Sequence, residues 1–262
     1  MEKEKQEFIP EISVNNTKVS KEIEIDGKMQ EVEVPAQEGF NIKTRDLEGK
    51  YSKDFFVKDL EAVILFDRYQ IQSKYVHKPA YMSNEFEFTG SRNDVRVYCP
   101  DEKRVLYEGP YAGTKTEFAT GQVSPKGIPE KTFDVFSILY VLISGDIFKF
   151  RWKLNQNNNW FTYKDGCQEE RDDNGFRNFT TKFALEKKKF GINEFWACNL
   201  QNIGKTKEDK VDEIANGLED KLDAIADSYK SSGEVVKKEI EKSGITGTEV
   251  SEDDIDVENL PF

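Results

Sequence analysis

The sequence predicts a mainly β protein, an antiparallel barrel or sandwich, followed by a helix and an acidic tail. Three observations predict this. Short segments rich in Val, Ile and aromatic residues alternate with turn residues through the middle of the chain. Val211, Ile214, Leu218, Leu222, Ile225 and Tyr229 recur at spacings of 3, 4, 4, 3 and 4, one face of a helix. The last twelve residues, Ser251 to Phe262, hold five acidic side chains and too little apolar surface to fold alone.

Charge sorts the chain into parts. Residues 1–39 carry 5 Lys/Arg against 10 Asp/Glu, and residues 205–262 carry 8 against 17. Subtracting both from the totals of 38 and 50 leaves 25 against 23 for residues 40–204, so a slightly basic middle stands between acidic ends. The expected organisation is an N-terminal extension with a hairpin over 1–39, a body over 40–204, an amphipathic helical segment over 205–243 and a disordered acidic tail over 244–262. A basic body with acidic arms fits a polyanion-binding domain, although the net charge of −12 alone argues the other way.

Other classes find little support. Cys99, Cys167 and Cys198 lie far apart and His77 is the single histidine, so a zinc site is not expected. The odd cysteine count fits a reducing cytoplasm. The longest apolar run, Val135 to Ile143, is too short to span a membrane. No Gly-x-Gly-x-x-Gly, P-loop or Gly-x-Ser-x-Gly pattern occurs, so an enzyme is not expected, and no cofactor is implied.

In chain order, residues 1–20 read as loose. Lys21 to Val34 alternates around Asp26-Gly27, a hairpin signal. Phe55 to Phe66 ends in a central strand, Asp67 to Tyr75 alternates, and Asp94 to Tyr98 places Val95 and Val97 opposite Arg96. Gly113 to Glu130 reads as a long loop. Phe133 to Leu142 and Ile147 to Leu154 read as antiparallel partners across Ser144-Gly145. Gly217 weakens the predicted C-terminal helix by roughly 1 kcal/mol relative to Ala.

The candidate binding residues come from one strand and the loop after it. Single strands are held by a positive groove and by rings on which bases stack. In Asp146 to Leu154, Phe148, Phe150, Trp152 and Leu154 point one way and Lys149, Arg151 and Lys153 the other. The rings suit a core and the cations suit phosphate or plain solvent. Beyond Asn155 to Asn159, Trp160, Phe161 and Tyr163 are placed either to stack on bases at a barrel rim or, for Trp160, to plug the barrel end. Arg68, Lys74, Arg92 and Arg96 are secondary phosphate candidates, and Lys187 to Lys189 form a basic run.

The acidic terminus, with Asp253-Asp254-Ile255 followed after Asp256 to Leu260 by Pro261-Phe262, resembles the C-terminal tip of bacterial and phage single-stranded DNA-binding proteins. The family tip usually reads Asp-Asp-Ile-Pro-Phe without the intervening residues. The buried strand, turn, basic strand and Trp-Phe-x-Tyr loop are similar to divergent phage members. The resemblance implies an OB-fold body in a bacterial or phage-infected cytoplasm. It implies binding of single strands without sequence preference, weakening with salt. It also implies a tip (Asp253, Asp254, Ile255, Asp256, Leu260, Pro261, Phe262) that recruits replication, recombination and repair proteins. Oligomeric state stays open, a homo-oligomer included. The rival expectation is an acidic adaptor or DNA mimic that engages replication proteins and never touches DNA.

Overall fold

A computed structural model describes residues 9–15, 17–25, 27–35, 37–45, 51–74, 78–88, 93–123, 129–154, 159–167, 175–190 and 193–224. The chain divides into two units, Met1–Glu208 and Asp209–Phe262. The tip residues from Asp253 to Phe262, Arg92, His77 and the loop at 155–158 lie outside the described residues.

The first unit is mainly β, as its alternating segments predict. Its strands are β1 (Glu11–Val14), β2 (Lys18–Ile25), β3 (Lys28–Pro35), β4 (Phe40–Arg45), β5 (Tyr51–Val57), β6 (Leu60–Ser73), β7 (Met82–Ser83), β8 (Asp94–Cys99) and β9 (Arg104–Pro110). A short helix α1 (Tyr111–Glu117) precedes β10 (Ala119–Val123), β11 (Pro129–Lys131), β12 (Phe133–Ile143) and β13 (Asp146–Lys153). A second helix α2 (Trp160–Gly166) and a 3-10 turn (Gly175–Asn178) lead into β14 (Phe179–Phe190) and β15 (Asn193–Lys205).

The main sheet runs in the order β5-β4-β1-β13-β12-β6-β7-β8-β9, with β14 and β15 branching from β6. This path does not close on itself among the described residues, and it is mixed, because β1 pairs parallel with β13. The expectation of a purely antiparallel sheet is corrected on that point. Glu11–Val14, in a stretch expected to be loose, sits inside the sheet between β13 and β4. The reason is burial: Ile12 is fully buried beside Phe40 and Phe150, so four residues suffice to fix the segment.

β6 is the organising strand. One edge pairs with β12 over most of its length, while the other edge meets β14 at its start and β7 at its end. A strand changes neighbours in this way when it bends, and the pairing slips by one residue around Leu65, opposite Tyr140 and Val141. β12 and β13 form the predicted hairpin. Its two-residue turn, Ser144 (φ 52°) and Gly145 (φ 87°), has the doubly positive φ of the type that matches strand twist.

Register sorts the side chains of these three strands onto two faces. One face carries Ile64, Leu139, Val141, Phe150 and Trp152 into a large core with Ile12, Phe40, Trp160, Phe183 and Leu200. Further along the same face, Tyr69 and Ile71 enter a second cluster with Phe86, Val95, Val97 and Phe133. The opposite face carries Phe66, Arg68, Gln70 and Gln72 of β6, Phe136, Ile138 and Tyr140 of β12, and Lys149, Arg151 and Lys153 of β13. The alternation predicted for β13 is therefore observed, with its rings in the core.

In the second unit a helix, α3, spans 211–224. Of the predicted stripe, Val211 and Leu218 are buried and Ile214 and Leu222 half-buried, joined by a buried Ala215 and with Asp212 and Glu213 exposed between them, while Ile225 and Tyr229 lie outside the described residues. No helix among the described residues is long and apolar enough to cross a membrane.

Candidate nucleic-acid interface

The cationic face of β13 is real, but its cations differ in what holds them. Lys149 pairs with Glu85 at 2.8 Å, and Glu85 also accepts a 2.7 Å hydrogen bond from the Tyr140 hydroxyl. Arg68 pairs with Glu87 at 2.8 Å, its side chain only 8% exposed. Lys153 pairs with Asp134 at 2.6 Å. Glu85 and Glu87 flank Phe86, which bridges to Tyr69 of β6 and is buried, so this acidic segment is anchored. Burial, then the Glu85 charge, pushes the Tyr140 phenol well above its usual range.

Arg151 is placed differently. Its guanidinium donates to Gln72 Oε1 at 2.7 Å and Gln70 Oε1 at 3.4 Å, and its centre lies 3.8 Å from the half-buried Phe136 ring. The two glutamines hold the guanidinium against the ring. Phe136 and Gln72 also line an open cleft of about 290 Å³ with Ser73, Lys74, Lys78, Ala80 and Asp134. The cleft thus offers a ring, one amide and two lysines along with the Asp134 carboxylate, beside an arginine. Ring, amide and cations are the groups that grip a base and its phosphate.

Other candidates fall elsewhere. Trp160, expected in a loop either to stack on bases at a rim or to plug the barrel end, opens α2 instead and is fully buried in the core. The correction has a physical reason: Trp160, Tyr163 and Cys167 recur at i, i+3 and i+7 and bury together, a helical signal hidden by the polar Asn-rich stretch before it. Asn159 fixes the start of α2 against β15, donating to Leu200 O at 2.9 Å and accepting from Leu200 N at 2.7 Å. The Trp160 indole donates to Asp67 Oδ2 at 3.0 Å, and the same oxygen accepts from Tyr69 at 2.6 Å. Burial, followed by the Asp67 charge, raises the Tyr69 phenol well above its usual range.

Tyr163 is also buried, its hydroxyl 2.5 Å from that of Thr181, so it too offers no face to a base. Phe161, on the outer side of α2, is 51% exposed. The backbone N–H of Arg96 donates to Asn84 Oδ1 at 2.8 Å, and its side chain is partly exposed on β8. In the lysine run of β14, Lys187 pairs with Glu194 at 2.5 Å and Lys188 with Glu186 at 3.4 Å. The three cysteines are buried free thiols. Among the described residues no group of His, Cys, Asp or Glu gathers to hold a metal ion.

Sequence reasoning missed Lys78, Lys115, Lys131 and Phe136. Lys115 stands in the last turn of α1, inside what reads as a loop, and only the fold brings it towards Lys74 and Lys131. No protein-family model, curated protein or solved structure matches the chain.

Proposed function

We propose that this protein binds single-stranded DNA without sequence preference, in replication, recombination or repair, and that its acidic segment from Ser251 to Phe262 recruits partner enzymes. The observation that carries the reading is the Arg151–Phe136 pair, held by Gln70 and Gln72 at the mouth of a cleft that also holds Lys74 and Lys78. A ring serves any base, and lysines serve any phosphate, so the site suits a strand of any sequence. The long bent β6, which changes partners along one edge, supports an OB-like reading of the body. The protein acts as a binder with no catalytic centre, in the cytoplasm of a bacterial or phage-infected cell.

The test is fluorescence anisotropy with a labelled single strand and its duplex at two salt concentrations. Tight, salt-sensitive, single-strand-selective binding is the expected result; equal or absent binding to both overturns it.

One observation favours a second reading. Glu85 and Glu87 already neutralise Lys149 and Arg68, and the net charge is −12. An acidic adaptor that engages replication proteins without touching DNA needs no open cationic face. The same titration separates the two, since an adaptor leaves the strand unbound.

A further inference from the structure

We propose that Lys74, Lys115 and Lys131, drawn together by the end of β6, the last turn of α1 and the end of β11, form a phosphate-binding site. Its ligand as the backbone of a nucleic-acid strand rests on the reading above.

The backbone builds the site. Lys74 N donates to Thr132 O at 2.9 Å, and Thr132 N donates to Phe118 O at 2.9 Å. Ala119 pairs with Lys131 across β10 and β11. These bonds tie three distant stretches into one corner. The Tyr81 ring stacks on Phe118 at 4.9 Å, and its hydroxyl bonds to Thr132, which locks the corner to the second core cluster.

Two of the three cations lie over rings. Lys115 Nζ lies 5.2 Å from the Tyr111 ring centre, and Lys131 Nζ lies 5.3 Å from that of Phe133. Among the described residues no carboxylate pairs with any of the three lysines. The nearby Asp134 is engaged by Lys153. Burial, followed by the charges of Lys115 and Lys74, pushes the Lys131 ammonium below its usual range. Three like charges gathered in one corner, none of them ion-paired among the described residues, repel, and a bound anion relieves that repulsion. Lys74 also lines the cleft beneath Phe136, so a strand lying across this corner runs on towards Arg151.

The test compares the full chain with its K74Q/K115Q/K131Q variant and with a K205Q/K207Q/K221Q control, which loses equal charge at exposed positions. A labelled single strand of roughly thirty nucleotides is titrated from about 50 to 200 mM salt. The cluster variant is expected to bind at least tenfold more weakly at low salt. Its log–log salt slope is expected to fall by about 2, from roughly 0.7 per phosphate contact. Its Tm without ligand is expected to equal or exceed that of the unaltered protein, because repulsion is relieved. Unchanged affinity and slope, or an equal loss in the control, overturns the site while leaving strand binding intact. If the unaltered protein binds no strand, the nucleic-acid reading fails and pyrophosphate decides the site. Thermal stabilisation by pyrophosphate that the cluster variant loses supports it, and none in the unaltered protein overturns it.

Discussion

The Arg151 guanidinium lies 3.8 Å from the centre of the Phe136 ring while donating to Gln72 at 2.7 Å. One cation is thereby fixed against one half-buried ring at the rim of a cleft. If bases stack beside this pair, Phe136→Ala weakens single-strand binding by about 1–3 kcal/mol per stacked base lost. Arg151→Lys also weakens it, because an ammonium lacks the planar guanidinium that lies 3.8 Å from the centre of the Phe136 ring. Anisotropy titrations check both, and thermal melts show whether the fold survives.

Trp160 separates stability from binding. Its indole donates to Asp67, and the ring is fully buried. Trp160→Phe keeps an aromatic ring but leaves the Asp67 oxygen one donor short, a loss of about 1–3 kcal/mol. Denaturant unfolding is expected to show that loss at unchanged strand affinity. A large loss of affinity in a variant of native stability would return Trp160 to the interface.

Glu85 holds Lys149 and Tyr140 together. Glu85→Gln keeps an acceptor for the Tyr140 hydroxyl but removes the charge facing Lys149. The side chains of Lys149 and Glu85 are 27% and 22% exposed, so the expected cost is modest, about 1 kcal/mol. The freed ammonium is expected to strengthen strand binding a few-fold and to steepen its salt dependence. Denaturant midpoints and salt-series titrations read the two effects separately.

Alkali tests the buried phenols. Tyr69, Tyr140 and Tyr163 are each raised above the ordinary value of 10.0, first by burial. A raised phenol binds its proton more tightly when folded, so its stabilisation is complete below pH 10 and is lost as pH rises towards the folded values. Absorbance of tyrosinate at alkaline pH is expected to lag behind that of the denatured chain, then rise together with loss of far-ultraviolet ellipticity. Smooth titration of every tyrosine in the folded state would contradict the burial of these three.

The fold was legible wherever local pattern and tertiary burial agree. The β12–β13 hairpin followed from its apolar run and Ser144-Gly145 turn, and β13 alternated as its residues require. Val211, Ile214, Leu218 and Leu222 follow the helical stripe, two buried and two half-buried. β1 escaped notice because four residues carry no periodicity, and its place depends on partners at Phe40 and Lys149, far along the chain. Trp160 was misplaced because loop composition upstream outweighed the i, i+3, i+7 spacing that follows it. At the candidate site, the alternation exposed Lys149, Arg151 and Lys153, but not which of them an acid already holds. Glu85, Glu87 and Asp134 reach those cations, or Arg68, across strands, and no spacing in sequence announces such pairs. Lys115 and Lys131 stayed invisible for the same reason.

The most direct test of single-strand binding at this face is photo-crosslinking. A 5-iodouracil single strand is bound to the full chain at saturating concentration, irradiated, and the crosslinked peptides are identified by mass spectrometry. Crosslinks are expected on Phe136 and on the peptides that carry Gln72, Ser73, Lys74 and Lys78 of the cleft and Lys131 to Asp134 of the lysine corner. Absence of crosslinks at saturation, or crosslinks confined to the β2–β3 hairpin or the exposed Phe161, would contradict binding at this face.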